Sequence, residues 1–211
     1  AVLLAKQLTS VDIISNGRLE PCFGTGWSRE EYASLNVPYG KRRQILRDNI
    51  AACRALWESQ PATFSSETVS FEDLYQMPQP IQRRIPIYLG AKANEKNAAM
   101  VAELCDGWET GPDDSKSLDT LREGSKLYRD AFEKAGRDPA ELMVRAHLPV
   151  FMKDDGKWFD LDRMFDHVSA LREAGVTEFA AGVLGRLEGV FDSMETIEGY
   201  IGELAAQAAK F

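Results

Sequence analysis

The chain has 211 residues, of which 44% are hydrophobic and 27% charged, so it is long enough to bury one sizeable core and is not disordered by composition. Its formal net charge of −8 argues against a nucleic-acid groove, because phosphate binding needs a concentrated basic surface. No apolar run approaches the roughly 20 residues of a membrane-spanning helix. These properties predict a single domain over residues 1–211 that binds neither nucleic acid nor membrane.

The cysteines and the basic residues give two further expectations. Cys22, Cys53 and Cys105 lie in apolar contexts without Cys-x-x-Cys spacing, which indicates buried, reduced thiols and predicts a cytoplasmic protein. The one basic cluster, Lys41-Arg42-Arg43, is explained by the solvated start of a helix.

The first predicted element is a helix over residues 3–14. Leu4, Leu8 and Val11 recur there at the spacing of a helix face. No cap, initiator Met or secretory segment precedes the helix, so the sequence predicts a chain begun inside a larger gene product, or one whose upstream part has been removed.

A glycine turn follows the next apolar segment. Leu19–Phe23 is predicted as a strand, Gly24 and Gly26 allow close backbone approach, and Ser28 with Glu31 has the spacing of a capping box. Backbone N–H groups at such a helix entrance can bind anions. An ordinary strand-to-helix connection accounts for the same residues.

Strand-like and helix-like segments then alternate along the chain. This alternation implies right-handed βαβ units and a parallel sheet of five strands, covered by helices on one side. Residues 62–80 are predicted to be irregular, with a short edge strand at Thr68–Phe71. Strands are predicted near 19–24, 85–90, 105–109, 143–151 and 178–183, and helices over about 41–58, 94–104 and 115–136, from Asp160, and from Asp192.

The two histidines do not predict a metal site. His147 lies within a predicted strand, where a hydrogen-bonded core histidine is favoured, and His167 falls on the exposed side of a predicted helix. Neither has a partner at metal-ligand spacing. The sequence also contains no Gly-x-Ser-x-Gly elbow, Walker loop or Cys–His pair, which argues against hydrolases and nucleoside triphosphatases.

Five segments of the chain carry a family resemblance. They are Ala5 to Trp27, Arg42 with Leu56-Trp57, Pro86-Ile87-Tyr88-Leu89-Gly90, Ala102 with Asp106-Gly107-Trp108, and Ala135-Gly136-Arg137-Asp138-Pro139. In this order they resemble the bacterial luciferase-like flavin or deazaflavin oxidoreductases. That family folds as a (β/α)8 barrel, so the resemblance implies an α/β fold: a partial TIM barrel of about five parallel β/α units that lacks the N-terminal units.

The resemblance implies a reduced FMN or coenzyme F420 at the C-terminal ends of the strands, and a small organic substrate. The turn Gly90-Ala91-Lys92-Ala93-Asn94 corresponds to the family's phosphate-binding turn. Lys92 adds positive charge there, whereas Ala91 stands where many members have a second glycine. A plain strand-to-helix turn is the alternative.

Two further segments correspond to the cofactor site. Gly24, Thr25 and Gly26 would line the ring and the ribityl chain, or equally serve close helix packing, and Trp27 is predicted to be a packing residue. Thr110 is the favoured ligand contact after the third strand, where Asp106 and Trp108 are expected to hold the barrel together. No catalytic residue is nominated, because in relatives such residues come largely from the first three strands.

The resemblance implies an oxidoreductase or monooxygenase. A non-catalytic flavin-binding or interaction protein on a trimmed barrel is the alternative. Five strands cannot close an eight-stranded barrel, so unpaired edges and exposed barrel-facing Leu, Val and Phe side chains are expected. This predicts a homo-oligomer formed through the open side.

Overall fold

The computed structural model describes residues 1–111, 117–154, 158–181 and 193–210. Its elements alternate as the sequence predicts. The helices are α1 Val2–Ile14, α2 Arg29–Ser34, α3 Arg42–Glu58, α4 Glu95–Leu104, α5 Leu118–Lys134, α6 Leu161–Phe165, α7 Val168–Glu173 and α8 Met194–Ala208. The strands are β1 Cys22–Phe23, β2 Ala62–Ser65, β3 Ser70–Leu74, β4 Tyr88–Gly90, β5 Gly107–Glu109, β6 Met143–His147 and β7 Glu178–Ala180.

The main sheet has five parallel strands in the order β1-β4-β5-β6-β7, which confirms the predicted architecture. Among the described residues β1 and β7 end this sheet, so the barrel is not closed. None of the helices in the described part of the chain is long and apolar enough to cross a membrane.

Several element bounds differ from the prediction. Residues 62–80 contain an antiparallel hairpin, because β2 pairs with β3 across a turn in which the amide of Ser66 donates to the Val69 carbonyl at 2.8 Å. The predicted edge strand therefore begins at Ser70, and its partner strand was missed because it is short and rich in Ser and Thr. The helix predicted from Asp160 is two short helices, α6 and α7.

Parts of three predicted elements lie outside the described residues: residues 182–183 of the fifth strand, residues 115–116 of a helix, and Asp192 at the start of the last helix. In the described part of that last helix, Ser193 is the N-cap, and its side chain accepts a hydrogen bond from the amide of Thr196.

The buried stripe of α1 is not the predicted one. Ala5, Thr9 and Asp12 are buried, whereas Val11 is 48% exposed. Thr9 Oγ1 accepts a hydrogen bond from Gln76 Nε2 at 2.9 Å, and the Asp12 carboxylate accepts three from the segment Ile81–Gln82. Thr9 and Asp12 are stable on the buried side of the helix because donors from residues 76–82 satisfy their oxygens. The periodicity of apolar residues does not reveal such hydrogen bonds.

The outer face of the sheet forms the apolar core against the helices. Leu89, Trp108 and Val144 lie side by side in register on β4, β5 and β6, and all three are buried. The Trp108 ring stacks on Tyr128 of α5, with centroids 4.8 Å apart and planes inclined by 13°. Packing of this kind is what holds the helical layer to the sheet.

Asp106, at the N-terminal end of β5, connects this strand to α3 and to the segment before β4. Its carboxylate accepts hydrogen bonds from Arg54, from Arg84 Nε at 3.2 Å and from the Ile87 amide at 2.9 Å. The prediction that Asp106 and Trp108 hold the barrel together is therefore confirmed, because both lie in packing or ion-pair contacts between elements.

The inner face of the sheet is polar, and the expectation of barrel-facing Leu, Val and Phe side chains is wrong. Glu109, Arg145 and Glu178 lie in register on β5, β6 and β7. Arg145 pairs with Glu109 at 3.5 Å, with Glu178 at 2.7 Å and with Glu20, and its guanidinium lies 3.8 Å from the centroid of the Tyr88 ring. The large apolar residues Leu89, Trp108 and Val144 point outward instead, toward the helices of the described part of the chain.

The contact between Glu20 and Arg145 also shows how strongly the sheet curves. Glu20 precedes β1, whereas Arg145 lies on β6, and β4 and β5 run between them. Two side chains separated by two intervening strands can meet only across a concave surface. The five strands therefore form a segment of barrel wall rather than an open, flat sheet.

Candidate functional site

The C-terminal ends of β1 and β4 bring two predicted site segments together. The strands pair in parallel, with Phe23 opposite Leu89, so the residues that follow them lie side by side. A Cβ added at Gly24 would stand 3.3 Å from the carbonyl oxygen of Gly90, and one at Gly90 would stand 2.9 Å from the sulfur of Cys22. Gly24 thus provides the close backbone approach that the sequence predicted for it, and the backbone that it approaches is that of Gly90.

The turn from Gly90 to Asn94 is held by side chains from other elements. Trp108 Nε1 donates to the Ala91 carbonyl at 2.7 Å, and Asn97 Nδ2 donates to the Lys92 carbonyl at 2.8 Å. Ala91, which replaces the second glycine of many relatives, is half-buried. These two bonds anchor the carbonyl side of the turn and leave its amide side available.

The turn leads directly into α4. Asn94 is the N-cap, and its side chain accepts a hydrogen bond from the amide of Asn97 at 3.0 Å. In the described part of the chain, the amides of Lys92, Ala93 and Glu95 donate no hydrogen bond. Free amides at the N-terminus of a ten-residue helix, with the exposed Lys92 beside them, can bind a phosphate.

The loop from Gly24 to Gly26 is held through its carbonyl groups. The Tyr32 hydroxyl donates to the Thr25 carbonyl, and Gly26 has a φ of +66°, a conformation that favours glycine. The side chain of Trp27 is 85% exposed, so the prediction that it packs into the protein is wrong. The neighbouring tyrosines contact its backbone and that of Thr25, and they leave the indole outside.

Thr110 occupies a different environment from the two loops. It is 2% exposed, and its amide donates to the Arg145 carbonyl at 2.9 Å. Strand alternation places it on the side opposite the inward-facing Glu109. The structure therefore brings Gly24–Gly26 and Gly90–Asn94 together, whereas Thr110 lies buried after β5 on the side of the sheet that packs against the helices.

Sequence reasoning missed the polar inner face beside these loops. His147 was expected to be a core histidine, yet its side chain is 35% exposed, and its Nε2 lies 3.8 Å from Glu109 Oε1. A usable signal was present: Arg145 and His147 alternate with apolar residues in the sequence of β6. His167 is exposed, as predicted, with Nδ1 3.0 Å from the Arg163 carbonyl.

The three cysteines fall into two groups. Cys53 and Cys105 are buried free thiols, as predicted, whereas Cys22 is an exposed residue, which corrects the prediction for it. The Cys22 sulfur nevertheless lies beside Gly90 on the inner face. Burial of this sulfur, and then the negative charge of Glu109, raises the pKa of Cys22 to about 12.

Alkylation should detect this raised pKa. Because only the thiolate reacts, we expect iodoacetamide to label Cys22 at pH 8 at least about a hundredfold more slowly than free cysteine, and faster as the pH rises. Glu109→Gln should accelerate labelling, since it removes a charge that raises the pKa. Peptide mass spectrometry separates Cys22 from Cys53 and Cys105. Rapid labelling of Cys22 at pH 8, unaffected by Glu109→Gln, would contradict this account.

The sequence profile of the luciferase-like monooxygenases matches residues 1–158. The chain belongs to that family. Among the described residues, no group of three or more His, Cys, Asp or Glu side chains could hold a metal ion.

Relatives of this luciferase-like chain are longer than the chain itself. An uncharacterized protein of Mycobacterium tuberculosis is 33% identical over 208 residues, which cover 99% of this chain and 66% of the relative. The chain thus spans about two thirds of the length of that curated relative.

Two solved structures share the fold. Monooxygenase RslO1 from Streptomyces bottropensis superposes with a TM-score of 0.64 at 19% identity, covering 98% of this chain and 57% of that one. An F420-dependent secondary alcohol dehydrogenase superposes with a TM-score of 0.68 at 16% identity, covering 85% of this chain and 68% of that one. Both support the luciferase-like barrel architecture.

Proposed function

We propose that this luciferase-like chain forms the phosphate-binding part of an oxidoreductase or monooxygenase that uses reduced FMN or coenzyme F420 on a small organic substrate. The observation that carries the proposal is the turn Gly90–Asn94, whose carbonyls are held by Trp108 and Asn97 while its amides stay free beside Lys92. Because Gly24 and Gly90 carry no side chains, the backbone of the first loop approaches this turn closely, and no side chain of either residue covers it.

In this proposal each residue has a limited task. The turn and Lys92 hold the phosphate, and Gly24, Thr25 and Gly26 line the ring and its ribityl chain. Thr110, the remaining predicted cofactor contact, is buried after β5 and supports the end of that strand through its bond to the Arg145 carbonyl. When bound, the cofactor would supply hydride or activated oxygen, and the chain's own residues position it and exclude water.

A non-catalytic flavin-binding protein is the less favoured alternative. The family match, together with an alcohol dehydrogenase and a monooxygenase as structural neighbours, favours the enzyme. A cytoplasmic location and homo-oligomerisation through the open side also belong to the proposal. The charged inner face means that such an interface would have to accommodate Glu109, Arg145 and Glu178 rather than an apolar surface.

Replacing Lys92 by Glu tests the phosphate site. Reversal of an exposed charge should weaken FMN or F420 binding by about fivefold, because such contacts are worth roughly 1 kcal/mol at most. Lys6→Glu, an exposed change on α1, is the matched control and should leave affinity unchanged. Fluorescence titration with FMN and with riboflavin, which lacks the phosphate, gives the contribution of the phosphate directly. Equal affinities of the wild-type protein for both would contradict the phosphate site.

A further inference from the structure

A groove runs between α4 and α5 on the outer surface of the helical layer. Its volume is about 710 Å³, and both helices contribute to its floor. The floor is formed by six apolar residues, of which Ala98 and Ala102 are buried, Leu127 and Ala131 half-buried, and Ala99 and Ala135 exposed. We call these six residues and the space above them the helix groove.

The floor of the helix groove favours close contact with another helix. Five of its six residues are alanines, so no long side chain keeps a second helix at a distance. Leu127 remains partly in water, and a helix packed on it would remove that apolar surface from the solvent. The floor alone does not identify what packs there, whereas the charges at the two ends of the groove do.

The two ends of the helix groove carry opposite charges. Glu95 is the first residue of α4 and Lys134 the last residue of α5, and both side chains line the groove and are exposed. Each helix returns from the end of one parallel strand to the start of the next, so α4 and α5 run in the same direction. The carboxylate of Glu95 and the ammonium of Lys134 therefore lie at opposite ends.

The other charged residues along the groove are already engaged. Arg137 donates to two backbone carbonyls, at 2.6 Å and 3.2 Å, and Glu103 pairs with Arg47. Within the described ranges neither Glu95 nor Lys134 forms an ion pair. These two charges are thus available to a partner that presents the opposite charge at each end.

We propose that the helix groove is a contact surface between two copies of this chain. A two-fold axis across the groove sets Glu95 of each copy opposite Lys134 of the other, so one contact forms two ion pairs. The helices of the two copies then run in broadly opposite directions. A two-fold axis along the groove would instead set each end against the same end of the second copy, where like charges repel. The charge pattern thus selects both the partner and its orientation.

This contact differs from association through the open side of the sheet. The helix groove lies on the outer helices, whereas the open side exposes the inner face with Glu109, Arg145 and Glu178. The contact also needs no cofactor. Its presence or absence is therefore measured on the protein alone, separately from the proposed function.

Two charge reversals test the contact. Glu95→Lys and Lys134→Glu should each weaken self-association about tenfold, because each variant puts two like-charged pairs into the symmetric contact. An equimolar mixture of the two variants should recover the wild-type affinity to within about threefold, since both pairs in the mixed dimer again have opposite charges. Analytical ultracentrifugation of each variant, and of the mixture with one variant fluorescently labelled, measures these dissociation constants.

Mixing separates a contact between copies from an effect on the single chain. Glu95 and Lys134 also lie at helix ends where their charges favour the helix dipole, so each reversal costs its own helix some stability. Mixing cannot restore that loss. The matched control is Glu173→Lys mixed with Lys6→Glu, which has the same net charges at exposed positions outside the groove. These two variants should associate like wild type, alone and mixed, and circular dichroism shows that each is folded.

Four results would overturn the proposal. A wild-type protein that stays monomeric up to about 1 mM has no such contact. Self-association that both groove reversals leave unchanged lies on another face, such as the open side. Failure of the mixture to recover, or equal recovery in the control pair, means that Glu95 and Lys134 do not meet between copies. Tighter binding of a model amphipathic Leu/Lys peptide than of a second copy would make a different helix the partner.

Discussion

Replacing Arg145 by Met should lower the free energy of unfolding by about 2–4 kcal/mol. Removing one partner of a buried ion pair costs roughly 3–5 kcal/mol, and partial water access to this site reduces the figure. The Arg145 side chain is 17% exposed, and its loss would leave Glu20, Glu109 and Glu178 facing one another. Those three carboxylates come from separate segments of the barrel wall. Repulsion among them would push these segments apart and flatten the curved sheet.

Urea denaturation followed by circular dichroism measures this change. The matched control is Arg122→Met on α5, where the pair with Asp119 has side chains 47% and 87% exposed. That exposed pair should contribute less than about 0.5 kcal/mol. If Arg145→Met and Arg122→Met proved equally mild, Arg145 would not be the residue that holds the inner face together.

The substitution Gly124→Ala should destabilise the protein, although Gly to Ala within a helix is normally favourable by about 1 kcal/mol. A Cβ at Gly124 would stand 2.4 Å from the Trp108 ring. That ring cannot move away, because it is fully buried, stacks on Tyr128 and donates to the Ala91 carbonyl. Overpacking of this kind costs typically about 1–3 kcal/mol, so after the gain in helix propensity we expect a net loss of up to about 2 kcal/mol.

Gly199→Ala gives the opposite expectation within the same protein. Gly199 lies in α8, and a Cβ there would meet no atom within 4 Å. Stability should therefore rise by about 0.5–1 kcal/mol. Thermal unfolding of the two variants compares the signs directly. A stabilising Gly124→Ala would show that Trp108 is free to shift, and the turn that Trp108 anchors would then be less rigid than the structure indicates.

The sequence by itself determined the order of elements and the family. Apolar strands separated by helical segments specified parallel β/α units, and glycines at the ends of the first two strands of the sheet located the loops that meet at Gly24 and Gly90. Helix ends were also readable, because a cap such as Asn94 acts through its own neighbours in the chain. Each of these features depends on local contacts or on simple periodicity.

Except in β6, where Arg145 and His147 alternate with apolar residues, the tertiary structure alone decided which side of each strand is buried. Strands of two to five residues carry too little pattern to show that Glu109, Arg145 and Glu178 face one another across the concave side. The buried stripe of α1 follows donors that lie some 70 positions away at Ile81 and Gln82. The exposure of Trp27 depends on tyrosines that bind the loop's backbone rather than its indole. Such contacts join residues distant in sequence, and only the folded chain brings them together.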